Sequence, residues 1–168
     1  MKLNFMTKLY VLKSDADAYG LAYQLAAKKY NTPASALKIA KNDHGKPYFE
    51  NLPDFHFNVS HSGDLKVLVV SRKNIGVDVE KLREVSLSVA KRFCDQERNY
   101  VNQTDSLNRF FEVWTKKEAY LKYLGTGLSG GLDSFNVLAS DIPIKTIPFG
   151  EYLISVCGDD NIELIDIR

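Results

Sequence analysis

Apolar positions recur along this 168-residue chain with the period of strands in some stretches and of helices in others. Residues 9–12, Leu-Tyr-Val-Leu, form a short apolar run that reads as a strand. Beyond it Ala18, Leu21, Ala22, Leu25 and Ala26 follow helical spacing. Ser14 reads as the start of that helix, with Asp17 three residues on as its capping-box partner. Asn31-Thr32-Pro33 stops it, and a second short helical stretch covers residues 34–37. Asp43-His44-Gly45-Lys46-Pro47 is a turn. Phe55, Phe57 and Val59 alternate with polar neighbours, as in a half-buried strand. His61-Ser62-Gly63-Asp64 is the next turn. Residues 65–71 and 75–80 are both strand-like, and Arg72-Lys73-Asn74 joins them into a predicted hairpin.

Helical character returns at 86–92 and again after Asp95, which reads as an N-cap. The longest predicted helix runs from near Leu107 to Leu124 and ends at Gly125. Strands are then expected at 134–138, 152–157 and 162–167, with Gly158-Asp159-Asp160-Asn161 turning between the last two. The order is an α+β pattern rather than a regular βαβ alternation. Helical structure followed by strands occurs in each half, which hints at a duplicated unit.

Composition bounds the class without choosing a function. Hydrophobic residues make up 45% and charged residues 26%, ordinary for a globular protein, and the length suits one domain or two small packed halves. With 22 Lys+Arg against 21 Asp+Glu, net charge gives no argument for nucleic acid or an anionic membrane. The two cysteines, Cys94 and Cys157, read as reduced, part-buried thiols. No apolar run approaches a membrane span and the start is too short and polar for a signal peptide, so a cytoplasmic protein is expected.

The chemistry concentrates at two places. In the strand Ile75-Gly76-Val77-Asp78-Val79-Glu80, Asp78 and Glu80 project to one face while Val77 and Val79 face a core. On the long helix, Glu118 and Lys122 are neighbours one turn apart. Three carboxylates and a cation are what a magnesium-dependent reaction on a phosphate ester needs, because magnesium prefers hard oxygen ligands. Taken singly, the strand pair reads first as a solvated strand face and the helix pair as an exposed ion pair. Glu97, in the first turn after Asp95, is either a charge complementing the helix dipole or a general base. Lys46 and His61 are either surface residues or phosphate contacts, and His61 needs Lys46 nearby for that role. Two lookalikes are set aside. Gly127-Leu128-Ser129-Gly130-Gly131 matches a nucleophile-elbow pattern, but follows a helix, and all three histidines precede it. Gly45-Lys46 is no P-loop, since Ala40 and Pro47 occupy its defining positions.

Taken together, these segments resemble the 4′-phosphopantetheinyl transferases of the surfactin-synthetase-activating (Sfp) type. Gly76-Val77-Asp78-Val79-Glu80 and Trp114-Thr115-x-Lys117-Glu118-Ala119-x-x-Lys122 look like the family's two signature motifs. Asn58-Val59-Ser60-His61-Ser62 and Gly45-Lys46-Pro47 look like its two upstream ones, and Gly125-x-Gly127-Leu128 with Leu132-Asp133-Ser134-Phe135 continues the likeness. Each motif is weak alone; four in order over residues 40–137 are strong.

The resemblance implies two similar α+β halves forming a pseudo-dimer, residues 1–75 and 76–168, with coenzyme A in the cleft between them. It implies that Asp78, Glu80 and Glu118 hold magnesium (or manganese) against the pyrophosphate, that Lys46 and His61 contact the 3′-phosphate, and that Gly45, Pro47 and Ser60 lie by the adenine nucleotide. Lys122 would stand at the pyrophosphate and stabilise the leaving group, and Glu97 would take the proton of the attacking hydroxyl. The implied reaction moves phosphopantetheine onto a serine of an acyl or peptidyl carrier protein, releasing 3′,5′-ADP, and the two-half chain would act as a monomer. The carrier would be acidic around its modified serine; a basic or apolar docking surface is expected near the Glu97 helix, with Lys91, Arg92 and Arg98 either part of it or ordinary solvated charges. The likeness departs at Tyr19-Gly20-Leu21-Ala22, which lacks the arginine often found there; Lys28 and Lys29 lie further along the helix. Two other readings compete: a non-catalytic coenzyme A and carrier-protein binding module of the same fold, and an unrelated magnesium-dependent phosphate-ester enzyme. Keeping a base argues against the first, and the Lys46 and His61 motifs argue against the second.

Overall fold

The computed structural model describes residues 6–127 and 131–168. Leu128, Ser129 and Gly130 of the nucleophile-elbow lookalike, and the first five residues, lie outside the described residues. The fold is α+β. Strand β1 (Thr7–Lys13) leads to helix α1 (Ala18–Tyr30), a 3-10 turn (Ala34–Ala36), and strands β2 (Ile39–Lys41), β3 (Pro47–Phe49), β4 (His56–Ser62), β5 (Leu65–Ser71) and β6 (Gly76–Lys81). A second 3-10 segment (Leu87–Arg92), helices α2 (Asp95–Val101) and α3 (Ser106–Leu124), and strands β7 (Ile144–Phe149), β8 (Tyr152–Cys157) and β9 (Ile162–Asp166) complete it.

One sheet has the order β4-β5-β1-β9, another β6-β8-β7, and β2 with β3 forms a small hairpin. The run at 9–12 is apolar throughout because the first sheet is covered on both faces. Tyr10 and Leu12 pack with Ala18, Ala22 and Ala26 of α1 and with Phe55 and Phe57. Leu9 and Val11 face the other way, onto Val77, Val79, Ile154 and Val156 of the second sheet. A third cluster, with Phe93, Phe110, Phe111, Val113 and Val137, lies under α3. The last strand returns from the second half and pairs in parallel with β1, Leu9 opposite Leu164.

Several expectations are corrected. Strands β5 and β6 do not form a hairpin: β5 pairs with β1 and β4, whereas β6 pairs with β8. Gly76 explains part of this, for β6 lies so close to α3 that a Cβ there would meet the Ala119 carbonyl at 2.2 Å and the Tyr123 amide at 2.3 Å. Helix α1 is capped by Asp17 itself, whose Oδ1 accepts the Gly20 N–H at 2.9 Å, while the Ser14 N–H goes to the Asp64 carbonyl. The N-cap of α2 is Cys94, not Asp95. His61 and Ser62 belong to β4, leaving Gly63-Asp64 as the turn. Residues 134–138 are not a strand, because side chains rather than a ladder take their backbone groups (described below). The unforeseen strand β7 lies at a sheet edge, where its Pro148 is tolerated.

Candidate active site

Strands β4 and β6 are edges of different sheets, and they face one another without a backbone ladder. Side chains make the join. The Asn58 Oδ1 accepts the Val77 N–H at 2.9 Å, the Ser60 Oγ accepts that of Val79 at 3.3 Å, and the Ser62 Oγ accepts that of Lys81 at 3.1 Å. Alternate residues of β4 thus satisfy the amides of β6 that β8 leaves unpaired. Each serine then has one proton to give. Ser60 donates to Asp78 Oδ1 at 2.9 Å, and Ser62 donates to Glu80 Oε2 at 3.0 Å. The expected common face of Asp78 and Glu80 is the face turned to β4, with Val77 and Val79 in the core behind it.

Helix α3 closes the site from the other side. Gly125, left-handed at φ 68°, ends it. Lys122 donates to Asp78 Oδ1 at 2.6 Å and to Ser60 Oγ at 2.9 Å. Trp114 donates through Nε1 to Glu80 Oε1 at 3.1 Å, its ring stacked on Phe110. Asp78 is 4% exposed, and its Oδ2 is buried without a hydrogen-bond partner. Burial pushes the Asp78 carboxyl above the usual range, against the pull of Lys122 and Ser60. Glu118 is also raised, first by burial and then by the charge of Asp78, with Lys122 opposing and Glu80 adding. The three carboxylates therefore feel one another.

Among the described residues no three His, Cys, Asp or Glu side chains come close enough to close round a metal ion. Lys122 and Ser60 take one oxygen of Asp78, and Ser62 and Trp114 take both of Glu80. The donor set nonetheless fits a hard divalent cation: the donors are all carboxylate oxygens, and the unpartnered Asp78 Oδ2 is a buried acceptor with nothing to accept.

A cavity of about 340 Å³ opens beside this constellation, lined by Tyr19, His44, Gly45, Lys46, Pro47 and Val59 on one side and by Glu118, Lys122, Gly125 and Gly127 on the other. It has the size of a small-ligand cleft. A wider depression of about 760 Å³ beside Lys13, Asp64 and Arg168 carries none of the predicted residues. Lys46 reaches across to the end of α3, donating to the Asn74 Oδ1 at 2.6 Å and the Tyr123 carbonyl at 2.8 Å, and burial pushes its ammonium down to about 8. A cation there suits the negative end of the helix.

Not every predicted residue converges. Gly45, Lys46, Pro47, Glu118 and Lys122 line the cleft, and Ser60 and Asp78 join it through Lys122. Glu80, on the same strand face as Asp78, bonds instead to Ser62 and Trp114, outside the lining. His61 is exposed at the outer end of β4 and is not in the lining. Glu97 is fully buried away from the cleft lining, with both oxygens engaged. Conversely, Asn58, Ser62, Asn74 and Trp114 carry contacts that the sequence reading did not assign. The signal available for two of them was the shared two-residue period of Asn58-Ser60-Ser62 and Asp78-Glu80.

Comparison with known proteins places the chain in a family. The profile of the 4′-phosphopantetheinyl transferase superfamily matches residues 74–160, and that of the 4′-phosphopantetheinyl transferase N-terminal region matches residues 10–73. A 4′-phosphopantetheinyl transferase of Bacillus subtilis is 40% identical over 123 residues, covering 69% of this chain and 54% of the relative. The 4′-phosphopantetheinyl transferase Sfp of Bacillus subtilis strain 168 is 36% identical over 124 residues, with 70% and 54% covered. The human L-aminoadipate-semialdehyde dehydrogenase-phosphopantetheinyl transferase is 28% identical over 123 residues, with 62% and 40% covered. The chain spans about half the length of the curated bacterial relatives it matches. With a superfamily match over more than half its residues and the matching motifs gathered about one cleft, the chain belongs to the 4′-phosphopantetheinyl transferase superfamily.

Proposed function

We propose that this chain transfers the phosphopantetheine arm of coenzyme A to a serine of an acyl or peptidyl carrier protein. The observation that carries the reading is the lysine and carboxylate constellation at the cleft: Lys122 on Asp78 and Ser60, the unpartnered Asp78 Oδ2, and Glu118 in the cleft wall. In the reaction the serine oxygen bonds to the β-phosphorus of coenzyme A. The bond from that phosphorus to the bridging oxygen breaks, adenosine 3′,5′-bisphosphate leaves, and the hydroxyl proton is released.

Each cleft residue has a part in this. The Gly45-Lys46-Pro47 turn receives the nucleotide end, and Gly45, at φ 84°, lets the backbone turn tightly there. Lys46 is the cation for the terminal phosphate on that side, exchanging its carbonyl partners for phosphate oxygens. His61, which the resemblance assigns to the same phosphate, is exposed near the end of β4 and outside the cleft lining, so Lys46 carries that contact in this reading. Lys122 neutralises charge gathering on the leaving pyrophosphate oxygen, as a positioned cation does most effectively where water is excluded. Asp78, Glu80 and Glu118 would hold magnesium or manganese, which would supply charge neutralisation and alignment of phosphate oxygens.

The test is intact mass spectrometry of apo acyl and peptidyl carrier proteins after incubation with this protein, coenzyme A and magnesium, with a chelated control. A metal-dependent gain of one phosphopantetheine group is expected. No gain on any carrier, with coenzyme A still bound, would leave a binding module in its place.

A further inference from the structure

Glu97 and Lys117 are both fully buried, with both carboxylate oxygens and all three ammonium protons engaged. Their side chains are 0% exposed, with Lys117 Nζ 2.8 Å from Glu97 Oε2. Lys117 gives its other protons to the carbonyls of Leu132 at 2.6 Å and Phe135 at 2.8 Å, and lies 4.0 Å from the centre of the Phe135 ring. Glu97 Oε1 accepts the Val137 N–H at 2.8 Å, and its Oε2 accepts the Cys94 N–H at 3.2 Å. Three protons on the lysine meet three oxygens. On the carboxylate, two amides and an ammonium engage both oxygens, and neither is exposed.

A general base must reach the proton it removes, directly or through one water. This carboxylate touches neither the cleft nor solvent. What it touches is the start of α2, the middle of α3 and the segment 132–137. Lys117 is also the residue before Glu118. Anchoring Lys117 inward fixes the rotation of α3 about its axis, and that rotation decides whether Glu118 and Lys122 face the cleft.

We infer that Glu97 and Lys117 form a buried clasp that orients α3, so that Glu97 is a positioning residue for Glu118 and Lys122 rather than the base of the reaction. The clasp rests on the transfer reading only for its effect on turnover; folding and metal affinity test it independently. A buried pair broken on one side leaves an uncompensated charge, whereas a pair neutralised on both sides often does not destabilise.

The experiment compares Glu97→Gln, Lys117→Met and the double variant by thermal unfolding, by titration with magnesium chloride alone, and by turnover on a carrier protein. Magnesium uptake is followed by calorimetry and by the emission of Trp114, the single tryptophan, which is bonded to Glu80. Each single variant is expected to unfold at lower temperature and to bind magnesium roughly tenfold more weakly, the effect of a lost supporting contact. The double variant is expected to regain most of both, and turnover with them. A Glu97→Gln protein that unfolds like the parent and binds magnesium like the parent, yet loses about 100-fold or more in turnover that the double variant does not regain, is the signature of a base and overturns the clasp. A double variant no more stable than the singles overturns it too, and a parent that takes up no magnesium removes the positioning role. A parent that takes up magnesium but modifies no carrier fails the transfer reading and leaves the clasp standing on its other two measurements.

Discussion

Glu118 and Lys122 stand one turn apart on α3, but they do not form the surface ion pair that their spacing allows: Lys122 goes to Asp78 and Ser60. Among the described residues the Glu118 carboxylate has no hydrogen-bond partner, and it lines the cleft, held high by burial and by Asp78. Glu118→Ala is therefore expected to keep the fold and its unfolding temperature while abolishing metal-dependent transfer. Full transfer by that variant, in the carrier-protein mass assay, would remove the metal assignment. Lys46 gives a pH signature. Its ammonium falls from the usual 10.5 to about 8 because of burial. Between these values the unfolded chain binds more protons than the folded one, so stability rises with pH across that window, and the whole penalty is present below about 8. Denaturant unfolding from about pH 8 to about 10.5 should show a more positive slope for the parent than for Lys46→Met. Equal slopes would place the Lys46 ammonium in water.

Among the elements, the join between β4 and β6 depends on small side chains at every second position. Ser60 accepts from a backbone amide and from Lys122 and donates to Asp78, all in a buried setting. Ser60→Ala leaves the Val79 amide and an Asp78 oxygen short of a partner, which should cost about 1–3 kcal/mol of unfolding free energy. Urea unfolding checks it, and no loss would mean that water replaces the hydroxyl. Gly76→Ala attacks the same join from behind. Its Cβ meets backbone atoms of α3, which cannot rotate aside as a side chain can. About 3 kcal/mol, the upper end of ordinary overpacking costs, is expected. An unchanged unfolding midpoint would show that β6 can shift off α3. Much of this level was legible in the chain: α3, its Gly125 stop, and the alternation in β4 and β6 follow from local period and capping. The false hairpin arose because the residues of β5 and β6 state that they are strands, not which strand they pair with. Consecutive strands pair only about two times in three.

Over the whole molecule, the proposed carrier surface is formed by the second 3-10 segment together with α2. Lys91 and Arg98 border a depression of about 430 Å³ with Ser86, Ser88 and Asn102. Arg98 is tied to Asp95 and to the Phe93 carbonyl, so Lys91 carries more of the charge a partner would meet. Lys91→Glu is expected to weaken binding of an acidic carrier and flatten its dependence on salt, without moving coenzyme A affinity. Unchanged carrier binding at low salt would displace the docking surface from this face. No helix among the described residues is long and apolar enough to cross a membrane.

The sequence by itself determined the α+β class, the common face of Asp78 and Glu80, the one-turn spacing of Glu118 and Lys122, and the likeness to the superfamily. These follow from periods of two and 3.6 residues and from motifs read in order, all of them properties of short stretches. Only the tertiary structure decided which groups meet. It set Ser62 and Trp114 on Glu80, left Asp78 Oδ2 without a partner, turned Lys46 onto the end of α3, and placed Glu97 opposite Lys117 inside the second half. The physical reason is separation along the chain. Spacing fixes a side chain's direction relative to its own helix or strand, but the partner of Glu97 is set by how α2, α3 and the segment after them pack, and that is decided by burial over distances no local pattern spans.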